Sequence, residues 1–529
     1  MWRSCLWAHS DTDFVNDLLH DIEFGVRIGY QPVSRDYQIH TNHLSAILNP
    51  EPVAREIERE LDLNRKVGPF LTPPFENFTG SPLGAIPKKH SAPVKWRIIH
   101  DLSWPAGLSV NDGIPKDLFT CTYDSLDRAI TLLRQFGTGA LMSKLDLSDA
   151  FRHILVNAQD WELLGSTWPV EIDGTVVPGY FIDTFLPFGL RSSPALFLKF
   201  VEGLKFVMSS RGASPIWNYL DDFWTCGPPS PNPHCRTSLE LMLGTCEHLG
   251  FTTNPAKTVM PTTNLILLGI ELDSPAQEAR IDQTRLAEVL HMLDKWSSRK
   301  HCTKRQLQSL IGKLHFISSV CRPGRTFVRR MIDLLSKASH PSHRIRLTVA
   351  FRKDIHWWQT FLTSWNGCSF FYHDTWLPNS SLDLFTDASH AAFGAYFAGE
   401  WFSCLFSAHR IPLSRSITFK ELYAITAAVS AWAPSLASHN VMFHCDNQSV
   451  VHILSSGTSR CKHIMSMLRY LFYVCAYYNI LLRAIHIPGV SNCFADCLSR
   501  LQVSKFHHLC PAASEHPTFI PRVPLTNFK

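Results

Sequence analysis

Three aspartates have the type and spacing of a site for divalent cations. Asp146 ends an apolar run, LMSKLDLSDAF, while Asp221 and Asp222 stand between two short β-like runs in WNYLDDFW. Two adjacent carboxylates in a tight turn need a partner for their charge, and divalent metal is one such partner. In nucleotidyl transfer, carboxylates on separate strands hold two hard cations about 3.5–4 Å apart, which activate the 3′-hydroxyl and neutralise pyrophosphate. A pair that merely caps a turn is the competing interpretation.

Four further acids with the same chemistry lie near the end of the chain. They occur in LFTDASHAAFGAYF, TFKELYAI, FHCDNQS and SNCFADCLSR, as Asp387, Glu421, Asp446 and Asp496. Two of them follow apolar β-like runs, and the other two lie near helix starts. Four carboxylates on different elements can converge on one pair of metal ions.

Taken singly, these acids have simpler interpretations. Thr418-x-x-Glu421 has the spacing of a capping box, in which the glutamate bonds its own helix N-terminus. Asp446 precedes an asparagine and can start a turn, and Asp496 can pair with Arg500 one turn later. The specificity for metal therefore lies in the set.

The elements that must position these acids follow from the hydrophobic pattern. Between about 66 and 275, short β-rich runs (96–100, 140–147, 216–219) alternate with helical segments, as in an α/β or α+β domain. From about 276 to 375 the pattern is helical, with a capping box at Thr303-x-x-Gln306. After a linker-like segment at 373–382, strands at 382–386, 441–445 and 481–487 and a helix at 419–432 predict a compact α/β unit.

The two ends of the chain carry no recognised chemistry. Residues 1–65 are mixed and polar, with one charged helical stretch at 52–64. The tail, 503–529, is rich in Pro and His and is expected to be loosely ordered.

Composition sets broad limits. A chain of 529 residues with 45% apolar and 18% charged residues predicts a soluble protein of about two to four domains, and its net charge of +5 is too mild to prove a nucleic-acid partner. The absence of a secretory signal and of any C-x-x-C pair predicts reduced cysteines in the cytoplasm or nucleus and no secretion. The apolar stretch at 470–482 is interrupted by Asn479 and predicts a buried helix running into a strand, with no membrane segment.

Two smaller features have competing interpretations. Cys493 and Cys497, with cysteine and histidines at 507, 508 and 510, permit a zinc site, although buried free cysteines are the simpler interpretation. Basic residues on and after the helix that begins at the Thr303 capping box form either a solvated face or a phosphate-backbone track. They are Lys304, Arg305, Lys313, Arg322, Arg325, Arg329 and Arg330.

From about residue 66 onward, the sequence resembles reverse transcriptases with a ribonuclease H domain. KWRIIHDLS (95–103), LDLSDAF (145–151), LPFGLRSSPALF (186–197), YLDDF (219–223), NPAKT (254–258) and LLGI (267–270) occur in the family's order and spacing, and the C-terminal acids match the ribonuclease H Asp-Glu-Asp-Asp set. GPF (68–70), SPLGAIPKK (81–89) and HDLSWPAGLSVNDGI (100–114) resemble the DIRS group of retrotransposons, with gypsy-like elements as second choice.

The resemblance implies an α+β multidomain fold. A right-hand polymerase of fingers, palm and mostly helical thumb or connection would precede a ribonuclease H-like α/β domain. The expected boundaries are an N-terminal extension at 1–65, fingers and palm at 66–275, thumb or connection at 276–375, the ribonuclease H-like domain at 380–502 and a tail at 503–529.

For the polymerase, the resemblance implies that Asp146, Asp221 and Asp222 are metal ligands. Lys95 or Arg97 would contact the incoming triphosphate, with a surface ion pair as the alternative for Arg97. Lys257 would protonate or neutralise pyrophosphate.

Two aromatic residues are expected at the nucleotide. Phe151 stands where the family places a ring against the sugar, leaving no room for a 2′-hydroxyl, so the expected substrate is a dNTP. A core phenylalanine is the alternative. Phe188 replaces the glutamine common in retroviral enzymes and is expected only as a pocket wall.

For the nuclease, the resemblance implies that Asp387, Glu421, Asp446 and Asp496 are the metal ligands. Gly394 would let the first hairpin turn closely, Asn492 belongs to the same pattern, and His486 lies near a position that helps product release.

The function implied is an RNA-directed DNA polymerase with ribonuclease H activity. It would require two Mg²⁺ or Mn²⁺ ions per active site and would act on an RNA template, a DNA primer, an RNA–DNA hybrid and dNTPs. The alternative is an inactive or host-adopted copy that only binds nucleic acid. The oligomeric state does not follow from the sequence.

Overall fold

The chain divides into two compact units, Met1–Thr263 and Asn264–Lys529. The structure is a computed structural model that describes residues 1–31, 38–88, 95–340, 342–365, 368–370, 377–378 and 384–524. Each unit contains one of the two groups of acids. Position 89 of the SPLGAIPKK motif lies outside the described residues. So does the linker predicted at 373–382, except for residues 377–378.

The first unit mixes helices with short antiparallel sheets. Its helices are α1 (Trp2–Cys5), α2 (Thr12–Phe24), α3 (Leu44–Ile47), α4 (Pro50–Asp62), α5 (Leu126–Phe136), α6 (Ser193–Ser210) and α7 (His234–His248). Its strands are β1 (Lys66–Phe70), β2 (Leu83–Pro87), β3 (Trp96–His100), β4 (Leu141–Asp146), β5 (Gly165–Ile172), β6 (Thr175–Asp183), β7 (Trp217–Tyr219), β8 (Asp222–Gly227) and β9 (Val259–Thr262).

The sheet that positions the first acids has the strand order β7-β8-β4-β9. Its strands pair antiparallel, and α5 and α7 pack against β8. Helix α6 buries Phe197, Phe200 and Leu204 in the same core. The predicted strands at 96–100, 140–147 and 216–219 are confirmed by β3, β4 and β7.

The N-terminal segment is not set apart from the rest of the first unit. Leu6 and Leu18 are completely buried in the same hydrophobic core as α6. Helix α2 lies so close to α6 that a Cβ on Gly203 would come within 2.6 Å of Leu18 Cδ2. The charged helix predicted at 52–64 is observed as α4, two residues earlier. Residues 1–65 are therefore an integral part of this unit.

The second unit begins with hairpin strands and helices and ends in an α/β arrangement. Its helices are α8 (Gln283–Ser297), α9 (Lys304–Ile317), α10 (Arg329–Leu335), α11 (Val349–Ser364), α12 (Ile417–Trp432), α13 (Gln448–Ser456), α14 (Lys462–Tyr477), α15 (Cys493–Ser499) and α16 (Val503–Leu509). Its strands are β10 (Asn264–Leu267), β11 (Ile270–Asp273), β12 (Glu278–Ile281), β13 (His301–Thr303), β14 (Arg344–Arg346), β15 (Cys368–Phe370), β16 (Leu377–Pro378), β17 (Leu384–Ala388), β18 (Ala392–Phe397), β19 (Glu400–Leu405), β20 (Asn440–Cys445) and β21 (Leu481–His486).

The helical part of this unit follows the predicted pattern. Helix α8 packs on α11 and buries Leu286, Leu293 and Trp296. The capping box at Thr303 and Gln306 is confirmed, with both reciprocal hydrogen bonds present at the start of α9.

The C-terminal part contains three antiparallel strands followed by two parallel ones. Strands β17, β18 and β19 form a meander, β20 pairs parallel with β21, and β17 lies beside β20. Parallel strands need a crossover, which α13 and α14 provide. The helix predicted to run into a strand at 470–482 is confirmed by α14 and β21. No helix of the described residues is long and apolar enough to cross a bilayer.

The expectation of a loosely ordered tail is wrong for residues 503–524. Helix α16 buries Phe506 completely, and the Phe506 ring packs against Tyr396 and Trp401. Beyond it, the Trp401 indole donates to Ser514 O at 2.7 Å, and Thr518 N donates to Trp401 O at 2.7 Å. The Pro- and His-rich composition did not reveal this anchoring because it depends on a few aromatic contacts.

Candidate active sites

The first three acids meet at one end of the β4–β8 pair. Asp146 and Asp222 are directly opposite each other in the antiparallel register. Tyr219 pairs with Asp222, so Leu220 and Asp221 form a two-residue hairpin turn, with Leu220 at φ 53°. The turn is held against β4 because Leu147 N donates to Asp221 O at 3.0 Å. The hairpin predicted for these residues is confirmed.

Two lysines meet only part of the negative charge of this group, since Lys144 pairs with Asp222 and Lys257 with Asp146. Burial raises the pKa of Asp221, and the neighbouring carboxylates of Asp222 and Asp146 act in the same direction. The buried Oδ1 of Asp222 accepts no hydrogen bond: Lys144 Nζ lies 3.0 Å away, but without hydrogen-bond geometry. Three carboxylates that share two ammonium groups keep a net negative charge, which a divalent cation fits.

Lys257 lies within the acid group itself. Its Nζ donates to both carboxylate oxygens of Asp146, at 2.9 and 3.0 Å. This hydrogen bond raises the pKa of Lys257 above its ordinary value. The loop is held in place because Asn254 N donates to Asp146 O at 2.8 Å. A permanent positive charge therefore lies beside the three acids.

The two aromatic residues expected at the nucleotide are in contact. The ring centroids of Phe151 and Phe188 are 5.1 Å apart, and Phe151 is also 5.5 Å from Phe197. Phe188 is 49% exposed, as a wall residue must be, whereas Phe151 is half-buried. The contact with Phe197 shows that Phe151 also packs on the core.

Lys95 and Arg97 lie next to and on β3, and both side chains are exposed. Arg97 is opposite Ile86 in the β2–β3 hairpin. Within the described part of the chain Arg97 makes no ion pair, so the surface-pair alternative receives no support.

Sequence reasoning missed the ion pairs that fix the backbone around Phe151. Asp149 adopts φ 51° and accepts a hydrogen bond from Arg65 Nη1 at 2.8 Å and another from Arg59. Burial opposes the charge of Asp149, but these arginines lower its pKa overall. The only signal in the sequence was the dense alternation of charge at 55–66.

On the other side of Phe151, Arg152 is buried in an ionic network. Its Nε donates to Glu60 Oε2 at 2.8 Å and its Nη2 to Asp183 Oδ1 at 2.8 Å. Lys66 and His100 also contact the Asp183 carboxylate, each at 2.9 Å. Burial opposes the ionised form of Asp183, yet Lys66 and Arg152 hold its pKa well below the ordinary value.

The second group of acids is carried by β17, α12, the end of β20 and α15. Ligand atoms of Glu421, Cys445 and Asp446 lie within 4.8 Å of one another. Burial raises the pKa of Glu421 to about 9, and the charges of Asp387 and Asp446 contribute. Burial also raises the pKa of Asp387, with Asp446 and Asp496 acting in the same direction. A buried Glu421 beside the mutually repelling carboxylates of half-buried Asp387 and exposed Asp446 fits a divalent cation.

The single-residue alternatives give mixed outcomes. The capping box at Thr418 and Glu421 is wrong: Ser416 caps α12 by accepting from Phe419 N, and Glu421 is buried one turn further on. The residue after Asp446, Asn447, is the N-cap of helix α13. The pair between Asp496 and Arg500 is confirmed, with Nε donating to Oδ1 at 2.7 Å.

Three supporting residues surround these acids. Gly394 lies within β18, opposite Asp387, and a Cβ there would be 2.4 Å from Leu498 Cβ. The glycine therefore allows α15 to approach the sheet, rather than tightening a hairpin turn. The buried Asn492 amide donates to Thr386 O at 2.8 Å, which ties the start of α15 to β17. The exposed His486 ring lies 3.1 Å from Asp446 O.

The zinc alternative finds no support. Within the described ranges, the one group of three or more His, Cys, Asp or Glu ligand atoms within 4.8 Å of one another is Glu421, Cys445 and Asp446, and it includes none of the cysteines or histidines at 493–510. Cys493 is exposed and Cys497 is buried. Burial raises the pKa of Cys445 to about 12, so its thiol stays protonated beside the acids.

Comparison with protein families gives a partial match. Residues 86–272 match the family model described as reverse transcriptase (RNA-dependent DNA polymerase), and this segment includes Asp146, Asp221, Asp222 and Lys257. A curated relative is the enzymatic polyprotein of figwort mosaic virus (strain DxS), 21% identical over 393 residues. The match covers 71% of this chain and 52% of the polyprotein, so the chain spans about half of that protein's length. The chain thus contains a reverse transcriptase domain with retroviral-type relatives.

Solved structures show the same fold. The foamy viral protease-reverse transcriptase dRH in complex with double-stranded DNA has a TM-score of 0.51 at 16% identity, covering 92% of this chain and 81% of that one. The foamy viral protease-reverse transcriptase in complex with RNA/DNA hybrid has a TM-score of 0.50 at 15% identity, covering 92% and 62%. At this identity, the likeness shows a mixed α/β multidomain polymerase-type fold.

Proposed function

We propose that this protein is an RNA-directed DNA polymerase of a retroelement that also cleaves RNA in RNA–DNA hybrids. The observation that carries the proposal is the meeting of Asp146, Asp221 and Asp222 at one end of β4 and β8, inside the segment that matches the reverse transcriptase family. The net negative charge of these three acids, which only Lys144 and Lys257 offset among the described residues, supports metal binding at this place.

In DNA synthesis, different residues of the chain would bind the metal ions, the leaving pyrophosphate and the incoming nucleotide. Asp146, Asp221 and Asp222 would hold divalent ions, Mg²⁺ or Mn²⁺. At both active sites, two such ions would activate the attacking oxygen and neutralise the leaving group. Lys257, already at the carboxylates, would meet the charge of the leaving pyrophosphate. Exposed Arg97 or Lys95 would bind the incoming triphosphate.

Phe151 is proposed to select deoxyribonucleotides over ribonucleotides. Its ring contacts the exposed Phe188 on one side, and its backbone is flanked by the ion pairs of Asp149 and Arg152. A ring held this firmly can exclude a 2′-hydroxyl, so dNTPs are the proposed substrates.

The nuclease proposal rests on the second acid group. Glu421 is 5% exposed and pairs with no cation among the described residues, so its ionised form needs another source of positive charge, which a metal ion would supply. Asp387, Glu421, Asp446 and Asp496 would hold the ions, and exposed His486 beside Asp446 would assist product release. Recognition of the RNA strand would depend on 2′-hydroxyls across the shallow minor groove.

The proposed partners are an RNA template, a DNA primer, their hybrid and dNTPs. The foamy viral proteins with this fold were solved with double-stranded DNA and with an RNA/DNA hybrid, which supports nucleic-acid partners here. We assign the chain to a DIRS-like element, with a gypsy-like one as second choice, and to the cytoplasm or nucleus.

A primer-extension assay tests the polymerase. The purified chain is expected to extend a DNA primer on an RNA template with dNTPs and Mg²⁺ or Mn²⁺. Asp221→Asn removes metal-binding charge worth several kcal/mol and should reduce extension at least about a hundredfold. The matched control is Asp117→Asn, an exposed acid outside the group, which should extend normally. Normal extension by Asp221→Asn would refute the assignment, and nucleic-acid binding without extension by the wild type would favour the inactive-copy alternative.

A further inference from the structure

A basic cavity lies in the second unit, between α10, α11 and the loop that leads into α14. It has a volume of about 650 Å³ and is lined by exposed Arg329, Lys353, Arg460 and Lys462 and by the less exposed Arg330 and Arg469. Asp333, the acid among its described lining residues, is already paired with Arg329 at 3.1 Å. The cavity therefore carries a strong excess of positive charge and fits an anion.

An aromatic cavity adjoins the basic one. It has a volume of about 540 Å³, and its lining includes the half-buried rings of Tyr470 and Tyr473. Trp357 also lines it, but both faces of that indole are covered by Phe327 and Phe361, at centroid distances of 3.5 and 4.9 Å. Tyr470 and Tyr473 keep part of their surface exposed in this cavity, whereas Trp357 is 7% exposed. Both volumes are in the range of small-ligand sites.

Arg469 lines both cavities and is only 3% exposed. Its Nε donates to Asp354 Oδ1 at 3.3 Å, and Arg330 donates to the same oxygen at 3.1 Å. Among the described residues, the Nη2 of Arg469 and the Oδ2 of Asp354 are both covered by protein and have no hydrogen-bond partner. Two guanidinium groups thus share one carboxylate, and a buried donor remains unused. An anion in the basic cavity would lie beside these two guanidinium groups, which have one carboxylate between them.

We propose that the two cavities bind an unpaired nucleotide of a single-stranded nucleic acid. Its phosphate would lie in the basic cavity beside Arg469, and its base would stack on Tyr470 or Tyr473 in the aromatic one. A base in a duplex is paired and cannot enter. None of the seven acids lines either cavity, so the proposal does not rest on the proposed function.

The proposed site includes only some of the basic residues that the sequence predicts as a phosphate-backbone track. Of the seven basic residues on and after α9, Arg329 and Arg330 line the basic cavity, whereas exposed Lys313 does not. The positive surface used for binding is completed instead by Arg460 and Lys462, which are distant in sequence from that helix.

Anisotropy of a fluorescein-labelled oligothymidylate of about 12 nucleotides tests the charge. The full chain is titrated in the presence of saturating blunt RNA–DNA duplex, so that the duplex-binding sites are occupied. The variant Arg460→Gln/Lys462→Gln removes two exposed cations from the cavity rim. The matched control is Arg236→Gln/Lys505→Gln, two exposed cations elsewhere. The dependence of log K on log salt should fall in slope by about 1.4 for the first variant and stay unchanged for the control.

Photo-crosslinking of the same oligonucleotide carrying 4-thiothymidine localises the base. Crosslinks are expected on the peptide that contains Tyr470 and Tyr473, and Tyr473→Leu should reduce their yield while circular dichroism shows a folded chain. Equal salt slopes for both double variants, or crosslinks confined to other peptides, would overturn the proposal. Displacement of the strand by free dTMP at equal nucleotide concentration would also overturn it, since a mononucleotide site would then be present.

Discussion

At the level of single residues, the seven acids differ in how their charge is met. Asp146 is bonded by Lys257, Asp496 by Arg500, and Asp387 by the Ser499 hydroxyl. Asp221 and Glu421 have raised pKa values because burial is not balanced by a cation. These two residues are therefore the ones whose replacement reports most directly on metal binding.

Phe151 gives a prediction about sugar choice. Phe151→Val removes the ring while the ion pairs of Asp149 and Arg152 still hold the backbone. The space opened should raise the ratio of rNTP to dNTP incorporation at least about tenfold. Steady-state incorporation of single nucleotides measures this ratio, in which a general loss of activity cancels. An unchanged ratio would make Phe151 a core residue only.

Glu421 gives a prediction about stability and metal. Its raised pKa means that the folded chain keeps a proton that the unfolded chain has lost, so this stabilisation is present at low pH and is lost as the pH rises from the ordinary carboxyl range through about 9. In EDTA at pH 8, Glu421→Gln should therefore melt above the wild type.

Added Mn²⁺ should reduce that difference. At about 100 times its Kd, a bound ion stabilises the wild type by about 2.7 kcal/mol, whereas the variant should respond less. Thermal unfolding with and without Mn²⁺ measures both effects, and Glu515→Gln, an exposed acid, is the control. Equal metal responses in wild type and Glu421→Gln would contradict metal binding by Glu421.

At the level of elements, periodicity and turn chemistry predicted most of the secondary structure. The Asp-Asp hairpin, the capping box at Thr303 and the strands β3, β20 and β21 lie at or within two residues of their predicted positions. The start of α12 was misassigned because Ser416 and Thr418 are both good caps, and only the backbone shows that Ser416 is used.

Contacts that depend on tertiary packing were not predictable in this way. The burial of Leu18 against Gly203 and the ion pair between Arg152 and Glu60 join segments more than 90 residues apart. The four acids of the second unit could be predicted as one group because each lies in a short local sequence motif. The ion pairs of Asp149 and Arg152, which flank Phe151, were missed because most of their partners are distant in the sequence.

The tail gives an element-level prediction. Phe506 is completely buried and Phe519 is 85% exposed, although both belong to the same Pro- and His-rich segment. Phe506→Ala should lower the free energy of unfolding by about 3–5 kcal/mol, while Phe519→Ala should change it by less than about 0.5 kcal/mol. Chemical denaturation monitored by tryptophan fluorescence measures both. Equal effects would show that α16 does not pack on β18 and β19.

At the level of the whole molecule, the two acid groups belong to different compact units. Asp146, Asp221 and Asp222 lie in Met1–Thr263, and Asp387, Glu421, Asp446 and Asp496 lie in Asn264–Lys529. Each group is assembled from elements of its own unit. Neutralising one group should therefore leave the chemistry of the other intact.

The most direct measurement follows both activities on one substrate, an end-labelled RNA template annealed to a labelled DNA primer. The wild type should extend the primer and cut the RNA. Asp221→Asn should cut without extending, and Glu421→Gln should extend while its cutting falls by at least about a hundredfold. Cutting at the wild-type rate by Glu421→Gln, or loss of both activities in either folded variant, would contradict two independent metal-dependent sites on one chain.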